Sequence, residues 1–165
     1  MKKQFYMFGD AMKKGAITVQ SKVKYDTLSL IEEDNILIKN NEFYMDSGKK
    51  FFDVIRFADS LNLAISEKLK KILEENKISG WKCFPIHIEN QTEKYYVLQI
   101  ISKAGPILNL EQVISYEAEN REFDLNTWDE SDIFTLENTL LFVCNEKVKE
   151  LFKKNKISNI EINPL

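Results

Sequence analysis

Two stretches of the chain carry the same helical stripe. Ile65, Leu69, Ile72 and Leu73 stand at i, i+4, i+7 and i+8, as do Cys144, Val148, Leu151 and Phe152, with Lys and Glu filling most positions between. Apolar residues at that spacing lie on one side of a helix, so each stretch predicts a short amphipathic helix buried along one face. Ser66 and Asn145 are placed as N-caps, because their side-chain oxygens can accept from amides of the first turn. The helices are expected to end near Asn76-Lys77 and Asn155-Lys156. Short apolar runs flank both: Leu61 to Ile65 and Leu140 to Cys144 ahead, Trp81 to Ile88 and Ile160 to Ile162 behind. Each reads as strand–helix–strand. A fully buried member of such a stripe contributes roughly 1.5–3 kcal/mol, so burial, more than propensity, holds helices this short.

The likeness extends beyond the stripe. A shift of 79 positions lays residues 53–86 over residues 132–165 without gaps, and ten of 34 positions are identical. Lys and Glu matches are cheap in this chain, but the unbroken Asn-Lys-Ile-Ser at 76–79 and 155–158 is not. The pattern predicts a duplicated unit. Between the copies, FPIHI and YYVLQII are separated by a polar stretch and form a hairpin signal, and Gly105-Pro106 marks a turn. The first fifty residues hold β-like runs (AITVQ, VKYDTLSLI, NILIK) and no clear helical pattern. The fold class expected is α+β, a mostly antiparallel sheet with two short amphipathic helices, in a single domain over residues 1–165.

Charge changes this picture in one place. The chain has 165 residues and net charge −3, short of the basic excess that general nucleic-acid binding needs. Residues 111–137 hold nine acids against one base, a net of −8 that leaves +5 for the remainder. Trp128 lies within this stretch, flanked by Asp129, Glu130 and Asp132. An exposed Trp among carboxylates suits a partner-binding anchor; a Trp covering the edge of the core is the competing reading. No run approaches the length of a secretory apolar region or a membrane-spanning helix, so a cytoplasmic protein without membrane contact is expected.

Candidate chemistry is sparse. His87 is the only histidine and sits in an alternating run that strand placement explains. Cys83 and Cys144 occupy non-equivalent repeat positions and lack the spacing of a metal site or disulfide framework, so inert thiols are expected. No phosphate-binding loop, nucleophile elbow or paired metal-binding histidines occur. The sequence predicts no catalytic residue, no metal, no cofactor and no small-molecule substrate. A non-enzymatic binding protein follows.

Four passages resemble a bacterial polymorphic-toxin immunity family, immunity protein eleven: ISEKLKKILEENKISGWKCFPI, the YYVLQII strand, ILNLEQ…SYEA, and IF…L…LLFVCNEKVKELFKKNKISNIEINPL. Helices of that family often close with Gly, where this chain has Asn76-Lys77 and Asn155-Lys156. The resemblance implies a non-catalytic protein that binds and neutralises a cognate toxin by occlusion, and it transfers no catalytic residue. The alternative is another intracellular adaptor or regulatory module.

Overall fold

The computed structural model describes residues 3–30, 36–108 and 121–165. Its strands are β1 (Phe5–Asp10), β2 (Thr18–Ser21), β3 (Glu42–Ser47), β4 (Val54–Phe57), β5 (Leu63–Ser66), β6 (Trp81–Ile88), β7 (Tyr95–Ile100), β8 (Lys103–Ala104), β9 (Ile133–Leu136), β10 (Phe142–Asn145) and β11 (Ile160–Pro164). Its α-helices are α1 (Ile36–Lys39), α2 (Glu67–Glu75) and α3 (Glu146–Lys154). Six strands close a barrel in the order β2-β3-β6-β7-β5-β4, and five form a sheet in the order β11-β1-β10-β9-β8. The expected α+β class with mostly antiparallel pairing is observed. No helix among the described residues is long and apolar enough to cross a membrane.

The two copies share one geometry. Ser66 accepts from the Leu69 amide and Asn145 from the Val148 amide. Leu69 and Leu73 are buried as Val148 and Phe152 are, with Ile72 and Leu151 packed at the margin of the same core. Both helices stop at an asparagine C-cap followed by a lysine with φ near 50°, at Lys77 and Lys156. This left-handed residue is where helices usually place glycine, so the non-Gly ending keeps the same geometry with a lysine backbone.

The barrel closes around Ile17, Val19, Phe43, Ile55, Phe57 and neighbours, so side chains and not a channel fill it. Alternate residues of the same strands (Val54, Leu63, Ile65, Leu98, Ile100) face outward onto a second core shared with α2, α3 and the five-stranded sheet. A third cluster lies on the far face of that sheet.

Strand pairing reveals a larger duplication than the sequence alignment does. In the barrel, β7 runs between β5 and β6; in the sheet, β1 runs between β10 and β11. The registers match. Tyr96 faces Ile65 and Pro85, and Tyr6 faces Cys144 and Pro164, each set related by the 79-residue shift. The short parallel pairings match too, β2 on β4 at Thr18–Arg56 and β8 on β9 at Lys103–Thr135. Each half of the chain therefore lends its first strand to the other half.

A reciprocal polar latch joins the copies. The Asp53 carboxylate accepts from the Ser158 amide and hydroxyl, both at 2.9 Å, and from Ser66 at 2.9 Å and Lys68 at 3.1 Å. Asp132 does the same with the Ser79 amide (3.0 Å), Asn145 (2.8 Å) and Lys147 (3.1 Å). Burial alone would push both carboxyls up, but these hydrogen bonds outweigh it and hold each below its ordinary value. The repeated Asp, Lys and Asn-Lys-Ile-Ser positions are thereby accounted for by folding.

Two local expectations fail. NILIK, taken as β-like, contains the one-turn helix α1, and part of VKYDTLSLI, at Thr27–Leu30, is a 3-10 turn. The strands of the repeat also begin later than expected, leaving Leu61 and Leu140 in the connecting turns.

Candidate functional site

The acidic stretch begins outside the described residues, with Glu111, Glu117 and Glu119, and is described from residue 121 onward. Its carboxylates have different surroundings. Asp132 is buried in the latch and unavailable to a partner. Asp129 is exposed and accepts from the Ser131 amide at 3.0 Å, closing a turn that leaves Glu130 at φ 64° with its carboxylate 3.4 Å from Lys3 Nζ. Trp128 is half-buried: its ring meets Phe5 edge-on at 5.0 Å between centroids, its indole NH donates to the Ser131 carbonyl, and Lys3 Nζ sits 4.5 Å over it.

The duplication explains why an aromatic stands there. Phe5, Met7, Phe134, Leu136 and Val143, on the far face of the sheet, correspond to Tyr95, Val97, Ile55, Phe57 and Ala64, which line the barrel interior. In the first half β3 and its neighbours wrap over that face and close it. In the second half Trp128 and Phe123 cover it. Trp128 is thus a lid on a core face, with one edge reaching solvent beside Asp129 and Glu130.

The two cysteines and the histidine are brought to no common site. Cys144 is fully buried, and burial pushes its thiol up to about 12. Cys83 is half-buried on β6 and His87 is exposed on the same strand. No group of three or more potential metal ligands occurs among the described residues.

A groove that sequence reasoning missed opens where the β4–β5 and β9–β10 turns meet the end of β1. Its volume is about 220 Å³, and its lining includes Gly9, Asp10, Met12, Arg56, Leu61 and Leu140. Leu61 and Leu140 occupy the same repeat position, so the groove sits where the two copies face each other. Both are more than a third exposed, and Met12 is 67% exposed. Asp10 Oδ1 accepts from the Met12 amide at 2.7 Å, while its Oδ2 lies 3.6 Å from Arg56 Nε. No sequence signal could have joined these residues, which come from three separate strand ends.

No family model matches the chain, and a search among curated proteins finds no match.

Proposed function

We propose that this protein is an immunity protein that binds and neutralises a cognate bacterial polymorphic toxin by occlusion, without catalysis, in the cytoplasm of the cell that makes it. The observation that carries this reading is the four-passage resemblance to the immunity protein eleven family. Of those passages, the described parts build α2, most of β6, β7, β10, α3 and β11, which together hold much of the intertwined framework. A rigid framework suits occlusion, because a preformed surface loses little conformational entropy on binding. The exposed pair Asp129 and Glu130 beside Trp128 supplies negative charge that would steer a basic toxin surface toward this face.

The test is to read the gene immediately upstream for a toxin domain and to co-express its product with this protein. The expected result is survival of cells carrying both genes and co-elution of the two proteins. Survival without a complex, or death despite soluble protein, would overturn the proposal. With the complex in hand, Asp129→Asn with Glu130→Gln should slow association and flatten its salt dependence, since exposed charges act over about 8 Å at physiological ionic strength.

A further inference from the structure

The residues of the groove have counterparts in the other half, and the comparison shows what has been made different. The register that equates β1 with β7 places Gly9 opposite Gln99 and Asp10 opposite Ile100, while the 79-residue shift places Arg56 opposite Thr135. Gln99, Ile100 and Thr135 are all buried. The counterpart residues are buried and uncharged, whereas the groove carries a cation.

Two further features point to a ligand. Gly9 stands in a strand although its φ lies outside the left-handed region and a Cβ there would meet nothing within 4 Å. Folding does not require that glycine, and strand glycines often mark close approach by a ligand or another backbone. The Arg56 guanidinium is one-third exposed, and among the described residues its Nη donors have no hydrogen-bond partner, its one carboxylate neighbour being Asp10 on the Nε side. The groove thus holds one cation whose Nη edge is open, with exposed Met12, Leu61 and Leu140 around it.

We propose that this groove binds an acidic–apolar segment of a partner protein, with a partner carboxylate on the Nη edge of Arg56 and an apolar side chain against Leu61 and Leu140. An arginine fork recognises a carboxylate with paired, charge-assisted hydrogen bonds. About 220 Å³ is less than the roughly 300–1,000 Å³ of a small-molecule pocket. It suits one or two side chains. The groove is where a toxin would be gripped, and in that respect the inference rests on the function proposed above; the chemistry of the groove can be tested apart from it.

Arg56 and Arg121 are the only arginines, so the arginine Nε–Hε region of a proton–nitrogen spectrum holds two signals that Arg56→Gln assigns. The probes are the blocked peptides acetyl-Leu-Asp-Leu-amide and acetyl-Leu-Asn-Leu-amide, titrated to about 10 mM, tenfold beyond a millimolar Kd. The Asp peptide should shift the Arg56 signal and the Leu61 and Leu140 methyls saturably, leaving Arg121 unmoved. The Asn peptide should bind at least about tenfold more weakly, a difference of about 1.4 kcal/mol. Arg56→Gln should abolish the preference, and Leu61→Ser with Leu140→Ser, both at exposed positions, should weaken both peptides. No saturable shift, equal response to the two peptides, or a response at Arg121 alone would overturn the proposal. Peptide binding together with a failed co-expression test would remove the toxin and leave the groove; a neutralising complex together with peptide failure would do the reverse.

Discussion

Asp53 and Asp132 do for this fold what a disulfide does in others: each ties the start of one copy to the end of the other helix's turn. Each carboxylate is held by donors from both copies, and hydrogen bonds to an ionised group are worth about 1.5–3 kcal/mol apiece, not additively. Asp53→Asn should therefore cost ~1.5–3 kcal/mol at neutral pH, read from the urea midpoint. The pH dependence follows from the direction of the shifts. Both carboxyls are lowered in the folded state, so their contribution is complete above the unfolded value of about 3.9 and is lost as pH falls through the folded values. Wild-type stability should drop between about pH 5 and pH 2, and the double variant Asp53→Asn, Asp132→Asn should show a shallower acid limb. An unchanged acid limb would show that other carboxylates govern it.

At the scale of elements, what could be foreseen was local. The caps, the stripes and the β6–β7 hairpin were legible because each is written in one continuous stretch of neighbouring residues. The α1 segment was not, since ILIK is a short apolar run whose periodicity cannot separate strand from helix. Strand β3, EFYMDS, was missed because it buries Phe43 alone and so has no alternating pattern. The groove was illegible for a different reason: Gly9, Arg56 and Leu140 meet only after strands distant in sequence have paired. The same non-local pairing gives β11 its weight. It is the sheet partner of β1 on one side, and Ser158 just before it satisfies Asp53. Removing residues 158–165 should cost several kcal/mol, a large share of the 5–15 kcal/mol of a typical domain, through loss of pairing and of the two Ser158 donors to Asp53. A truncated protein that keeps its melting temperature would refute this.

For the whole molecule, exchange of first strands makes the two halves inseparable, and it puts residues 165 and 5 in contact, where the Leu165 amide donates to the Phe5 carbonyl at 3.0 Å. The corresponding place in the other half is the connection over residues 89–94, which joins β6 to β7. The two places are interchangeable by symmetry. A circular permutant that joins residue 165 to residue 1 and opens within 89–94 should fold to the same structure, with a melting temperature within a few degrees of the parent. Such permutations succeed at exposed turns whose ends lie close together. A permutant that fails to fold would mean that the β6–β7 hairpin must form before the rest.

Exchange also sets an order in time. Of these strands β1 leaves the ribosome before the others, yet it pairs with β10 and β11, which follow all the rest. The barrel draws its strands from residues 18–100 and has its full set while the second half is still being translated. Until residues 142–164 emerge, β1 waits with both backbone edges unpaired, and exposed edges of that kind recruit other chains. A messenger cut short would release chains with a finished barrel and a sticky first strand. For these, assembly in trans is open: a fragment carrying β9 to β11 could complete the sheet that translation left unclosed.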